Sequence, residues 1–171
     1  LWRGSLNGSD LNFPPGRSYE DISTIPLLAL RAESFYHEPA PWVAYRQRSD
    51  SILATPNISK AMDQSSALRD FSRELKSTPS WSDQGARVGL ARQAARNLTG
   101  AMRVLWRQVG GMQQQEQVVA LAEQVRQDFL HTSPLSPDEL ARWYARRGWW
   151  LQRRKFLRWF HAQPGLPRAS I

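Results

Sequence analysis

The most regular pattern of apolar residues in this chain lies between Gly85 and Gly111. Seven apolar residues follow one another there at steps of three and four, namely Val88, Ala91, Ala95, Leu98, Met102, Leu105 and Val109. This spacing predicts one long α-helix with a single apolar face, and it excludes a strand, whose apolar residues alternate at every second position. Asp83 before the start, and Arg103 and Arg107 in the last turns, suit the helix dipole, and the two glycines at 110 and 111 end the helix.

Shorter patterns of the same period predict helices on both sides of this one. We expect them at residues 26–37, 42–53, 58–76, 112–130, about 137–148 and about 149–161. Proline sets several of these boundaries, because it fits the first turn of a helix but interrupts the interior. The clearest helix start is Ser136-Pro137-Asp138-Glu139, in which serine is the N-cap, proline takes the first position and Glu139 completes a capping box.

These helices predict an all-α fold. Only two glycines separate the helix at 86–109 from the helix at 112–130, so we expect the two to pack as an antiparallel hairpin. The predicted architecture is an irregular bundle of five to seven helices around this central hairpin. Residues 1–23 are rich in turn-forming residues and predict an irregular arm. Residues 24–135 would form the helical core, and residues 136–171 a basic helical hairpin packed on it, all within one domain.

Two glycines fall inside the central helix. Gly89 and Gly100 each cost about 1 kcal/mol of helix stability relative to alanine. We expect them to be small residues that allow another helix to pack closely, and the alternative is the close approach of a ligand.

Composition excludes several classes of site. The chain of 171 residues contains no cysteine, which rules out disulfides and cysteine-ligated metals. His37, His131 and His161 are not at the spacing of helical metal ligands, so we expect no metal and no cofactor. No apolar run is long enough to cross a bilayer. The chain begins with Leu1 rather than methionine, and we expect a processed product or a piece of a longer protein.

Positive charge is concentrated in the last 36 residues. The net charge is +8, and residues 136–171 hold eight Lys or Arg against two Asp or Glu, which leaves +2 for the rest of the chain. The same segment holds four of the eight tryptophans, a residue favoured in protein interfaces and at membrane surfaces. On the last helix, we expect one face to hold Trp149, Arg153, Phe156 and Phe160, with Trp150 and Leu157 alongside. The other side is expected to carry Arg154, Lys155, Arg158 and Gln152, with the three cations facing solvent.

The first functional hypothesis is a non-enzymatic binding or assembly module. It would be a soluble domain or subunit of a larger complex that docks an acidic protein or a membrane surface through its basic aromatic C-terminal helices. The residues expected to bind the partner are Trp143, Arg146, Arg147, Gln152, Arg154, Lys155, Arg158 and Trp159. In this interpretation the tryptophans are the apolar anchors and the cations provide charge complementarity.

A nucleic-acid-binding protein is the first alternative. Two helices joined by a glycine turn at residues 138–161, the second of them basic, have the outline of a helix-turn-helix. Gln152, Arg153 and Arg154 would then face base edges, while Lys155 and Arg158 would contact phosphates.

The second alternative is a hydrolase or lyase built on Glu33. A single glutamate at the end of a buried helix acts as a general acid when burial raises its pKa. The competing interpretation is an ion pair between Glu33 and a nearby arginine such as Arg31 or Arg46.

Overall fold

A computed structural model describes residues 19–32, 34, 36–41, 43, 58–107 and 112–163. Within these ranges the chain forms six α-helices and a single 3-10 turn, and no strand. The helices are α1 (Glu20–Arg31), α2 (Ile58–Lys76), α3 (Gln84–Arg107), α4 (Met112–Thr132), α5 (Pro137–Arg146) and α6 (Trp150–Phe160), and the 3-10 turn is Pro79–Ser82. The predicted all-α bundle is confirmed.

Helix α3 is the centre of the bundle. It packs on α4 along the predicted hairpin, on α2 to one side and on α5 and α6 to the other. Because neighbours cover it from several directions, it buries Leu90, Ala94 and Ala101 in addition to the predicted stripe. Val109 and the two glycines that follow it lie outside the described residues. The main core lies between α3, α4 and the α5–α6 pair, with Met102, Val125 and Phe156 among its members.

Polar side chains tie α2 to the central hairpin. The Arg69 guanidinium lies 2.9 Å from the buried carboxylate of Asp128 on α4. The Ser72 hydroxyl donates to the carbonyl of Thr132, at the end of α4, at 2.9 Å. The Asn97 amide on α3 donates to the Ser65 hydroxyl at 2.7 Å. These bonds fix α2 against both α3 and α4, since buried polar groups must be paired to avoid a desolvation cost.

The first predicted helix was placed wrongly. It was expected at 26–37, and the structure has it at Glu20–Arg31, with Pro26 in its interior. The acidic residues Glu20 and Asp21 suit its first turn, and burial of Leu27 with the two residues Ser23 and Thr24 fixes which face packs inward. Among the described residues that follow α1, the Tyr36 and Val43 side chains are almost fully exposed. Apart from Val43, the helix predicted at 42–53 lies outside the described residues, as does the arm up to residue 18.

Both predicted start signals on the main helices act as caps. The Asp83 carboxylate accepts a hydrogen bond from the Ala86 N–H at 2.7 Å, at the start of α3. The Ser136 hydroxyl accepts from the Glu139 N–H, and the Glu139 carboxylate accepts from the Ser136 N–H at 2.8 Å. This reciprocal pair is the predicted capping box, and it sets the first turn of α5.

The expectation for the two glycines of α3 was wrong. Gly89 and Gly100 are exposed, and a Cβ built at either position meets no atom within 4 Å. Neither glycine therefore allows another described helix to approach. Gly100 instead lines a surface groove between α3 and α6.

Candidate functional site

A tight turn folds α6 back beside α5 and against α3. Gly148 takes the left-handed conformation at φ 70°, and the Trp149 N–H donates to the Tyr144 carbonyl at 2.9 Å. Left-handed backbone favours glycine, which has no Cβ to clash. The turn allows Phe156 and Trp159 to enter the core, while Arg153, Arg154 and Arg158 of α6 are exposed.

Three aromatic rings and one arginine form a cluster where α3, α5 and α6 meet. The Trp143 and Trp149 rings are 5.3 Å apart at an interplanar angle of 87°, and the Tyr144 ring lies against Trp149 at 6.3 Å. The Arg92 guanidinium carbon lies 4.6 Å from the centroid of the Trp149 ring and 5.6 Å from that of Trp143. Arg92 thus occupies the corner between two perpendicular indoles, an arrangement that favours a cation.

A groove of 420 Å³ runs from this cluster between α3 and α6. We call it the Arg92 groove, and its lining residues are Arg92, Ala95, Arg96, Thr99, Gly100, Arg103, Tyr144, Trp149, Gln152, Lys155 and Phe156. Four of these residues are cations, three from α3 and one from α6, and none is acidic. Burial raises the pKa of the Tyr144 phenol, while the positive charges of Arg92 and Arg96 oppose that rise.

The cations of the Arg92 groove have no carboxylate partner among the described residues. Three arginines elsewhere do: Arg69 pairs with Asp128, Arg73 with Asp70 and Arg126 with Glu123. The difference has a simple origin in the sequence, because α3 and α6 contain no acidic residue. Together the two helices carry nine cations, namely Arg87, Arg92, Arg96, Arg103, Arg107, Arg153, Arg154, Lys155 and Arg158.

A second groove of 330 Å³ lies on the other side of Trp143. Arg87, Arg142 and Arg146 line it, together with Glu139. Hydrogen bonds from Ser136 hold the pKa of the Glu139 carboxyl below its usual range, because that carboxylate belongs to the capping box. We call this second site the Arg87 groove. The two grooves follow α3 from residue 84 to residue 103, roughly 30 Å at 1.5 Å per residue.

Four of the predicted partner-binding residues line these grooves, and a fifth, Arg147, lies beside one of them. Trp143 and Arg146 line the Arg87 groove, and the Arg147 guanidinium lies 5.2 Å over the Trp143 ring. Gln152 and Lys155 line the Arg92 groove from the α6 side.

The other three lie elsewhere, and one of them was assigned wrongly. Trp159 is only 5% exposed and packs edge-on against Trp106 at 5.9 Å, so it belongs to the core and is not available to a partner. Arg158 is exposed, with its guanidinium 5.3 Å over the Trp159 ring. Arg154 is exposed on the outer side of α6. The apolar face of α6 was predicted correctly only in part: Phe156 is buried as expected, whereas Trp150 is 61% exposed and Arg153 is exposed.

Arg92, Arg96 and Arg103 were missed as site residues. All three lie on α3, at successive distances of four and seven residues, which places them on one side of a helix. That spacing, together with the absence of any Asp or Glu from residue 84 to residue 107, was the signal that could have identified them.

The described residues give no support to a metal site or to a membrane span. No group of three or more His, Asp or Glu among them is arranged to hold a metal ion, and none of the described helices is long and apolar enough to cross a bilayer. Glu33 lies outside the described residues. Comparisons of the chain with protein-family models, with curated proteins and with solved structures found no match.

Proposed function

We propose that this domain is a non-enzymatic binding module that docks an acidic protein surface on the side formed by α3, α5 and α6. The observation that carries the proposal is the adjacency of two acid-free helices, α3 and α6, around a groove whose four cations have no carboxylate partner in the described chain. Like charges held this close repel one another, and a partner that supplies carboxylates relieves the repulsion.

Two exposed apolar side chains favour protein over a phosphate backbone as the partner. Trp150 is 61% exposed and Leu151 is 80% exposed, and both begin the helix that carries Arg153, Arg154 and Lys155. At about 100° per residue, Leu151 is about 40° around α6 from Lys155, so it borders the Arg92 groove. A protein surface would bury these side chains, as interfaces rich in Trp and Arg do, whereas phosphates cannot.

Nucleic acid is the second candidate, and the length of the cationic surface favours it. The two grooves provide a row of cations over roughly 30 Å, which suits a chain of phosphates. Two observations weigh against it. Gln152 faces α3 and lies about 100° around α6 from Arg153, so these residues do not form one base-reading set. The Trp149 ring is already packed against Tyr144 and Arg92, which leaves it unsuited to stacking on a base.

Equilibrium binding to three labelled probes tests the proposal. The probes are a short polyglutamate, a glutamate peptide with leucine at every fourth position, and a random DNA duplex, compared by fluorescence anisotropy at about 0.15 M salt. We expect the leucine-containing peptide to bind most tightly, because its leucines also contact Leu151 at the edge of the Arg92 groove. The variant Leu151→Ser should reduce the advantage of that peptide over polyglutamate. Equal or tighter binding of the duplex, or no binding of either peptide, would overturn the proposal.

A further inference from the structure

We infer that Arg92 is the anchor of the docking surface and that it receives a carboxylate from an acidic segment lying in the Arg92 groove. This inference rests on the proposed function and adds to it the residue and the ligand group that carry the binding energy. Three features of Arg92 support it: its position against two indoles, its free hydrogen-bonding capacity, and its spacing from the next arginine.

The first feature is the ordered position of the Arg92 side chain. The Arg92 guanidinium carbon is within 5.6 Å of the ring centroids of both Trp143 and Trp149, and Arg92 is half-buried. A long side chain normally loses much rotamer freedom when it binds a partner. Because the indoles already hold Arg92, less of that freedom remains to be lost, and the planar guanidinium keeps a fixed direction.

The second feature is that the hydrogen-bond donors of Arg92 are unused. The side chain makes no hydrogen bond and no ion pair with any described residue, and the indole faces attract its charge without accepting its N–H groups in the usual way. Guanidinium donors in a fixed fork match the two oxygens of a carboxylate. Arg126 offers a contrast, since it donates to the Phe160 carbonyl at 2.9 Å and to Glu123.

The third feature is the spacing of the cations along α3. Arg96 lies one turn beyond Arg92, about 6 Å along the axis, and both line the groove. Carboxylates four residues apart on a partner helix have the same spacing, so an acidic helix parallel or antiparallel to α3 can present one to each arginine. Arg103 and Lys155 extend the positive potential farther along the groove and across it.

A charge-preserving substitution tests the inference. Arg92→Lys keeps the positive charge but removes the planar fork, so we expect the dissociation constant for polyglutamate to rise about tenfold or more, as for an interface anchor. Arg153→Lys is the matched control, because Arg153 is exposed on α6 and lines neither groove. It should change the constant about twofold or less, since charge is retained outside the site. Thermal melting of each variant checks that the fold is intact.

A second variant removes one of the indole rings that contact Arg92 and leaves the arginine in place. Trp143→Leu deletes one of the two rings against Arg92. We expect this variant, like Arg92→Lys, to raise the dissociation constant for polyglutamate, although Trp143 itself also lines the Arg87 groove. If the parent binds polyglutamate and Arg92→Lys behaves like Arg153→Lys, the inference is wrong while the proposed function stands. If the parent fails to bind, the proposed function is wrong. A loss confined to the DNA duplex would assign Arg92 to phosphate and would also overturn the inference.

Discussion

Met102 is a fully buried core residue of the central hairpin formed by α3 and α4. Its side chain has no exposed surface, and it lies in the core cluster with Leu98 and Leu105 of α3 and Val125 of α4. None of these neighbours is charged or carries a hydrogen-bonding side chain. An ionised side chain at this position would therefore lose its hydration and gain no partner.

We expect Met102→Asp to abolish cooperative folding, because an unpaired buried charge is among the costliest of substitutions. Met102→Leu is the matched control, since it nearly conserves volume and should cost less than about 1.5 kcal/mol. Circular dichroism melting distinguishes them. A Met102→Asp variant that melts within a few degrees of the parent would show that this face of α3 is not the core.

At Gly89 we predict a substitution that stabilises the protein, in contrast to Met102→Asp. It is exposed within α3, and a Cβ added there meets no atom within 4 Å. Gly89→Ala should therefore raise the free energy of unfolding by about 0.5–1 kcal/mol, since alanine loses less backbone entropy in a helix. Gly148→Ala is the contrasting variant, because its φ of 70° strains any L-residue, and it should destabilise. Urea denaturation measures both, and the same sign of change for the two would contradict the backbone assignments.

The sequence predicted the buried residues correctly on α3, where apolar residues recur with a single helical period. It predicted them poorly on α6, where aromatic residues lie on all sides of the helix. The stripe Val88, Leu98 and Met102 is buried as predicted. On α6, aromatic residues occur at five of the twelve positions from Trp149 to Phe160, so the period does not determine which of Trp150 and Trp159 faces inward. Contact with α3 decides it, and the sequence of α6 does not contain that information.

At the level of elements, the capping box makes the stability of the first turn of α5 depend on pH. Hydrogen bonds from Ser136 hold the pKa of the Glu139 carboxyl below its ordinary value of 4.5. The stabilisation that this gives is present at neutral pH, above the pKa of the unfolded chain, and is lost as the pH falls through the lowered folded value.

Glu139→Gln keeps an acceptor for the Ser136 N–H and removes the titration. We expect the parent to be more stable than this variant at neutral pH, with the difference disappearing once the pH has fallen below the lowered pKa of Glu139 in the folded protein. Ser136→Ala should cost about 1 kcal/mol at neutral pH, because it removes the N-cap. Urea denaturation at several pH values measures these differences. A parent that gains stability relative to Glu139→Gln on acidification would contradict the capping role.

Helix bounds were predictable where a local signal marks the start, as at Pro137 in the capping box and at the Asp83 cap of α3. The first helix was misplaced because Pro26 was taken as its first position, whereas it lies inside Glu20–Arg31. Proline normally disrupts a helix interior. Here Leu27, the residue after Pro26, is buried with Ser23 and Thr24, and local sequence rules do not contain such tertiary packing.

For the whole molecule, the helices differ in whether their cations have carboxylate partners. The arginines at Arg69 and Arg73 of α2 and at Arg126 of α4 lie against carboxylates, while the cations of the Arg92 groove do not. The concentration of positive charge in residues 136–171 was evident from the sequence, but the Arg92 groove forms only when α3 and α6 lie side by side. Half of the site, Arg92 and its neighbours on α3, lies more than thirty residues before residues 136–171, so only the fold brings the two halves together.

The most direct test of this account is an NMR spectrum of the arginine Nε–H groups recorded while polyglutamate is added. Each arginine side chain reports separately, and single Arg→Lys variants assign the signals. We predict that the signals of Arg92, Arg96 and Arg103 shift together at low peptide concentration, while those of Arg69 and Arg73 on α2 stay in place. Shifts of equal size on α2, or no shift at Arg92, would contradict a docking surface between α3 and α6.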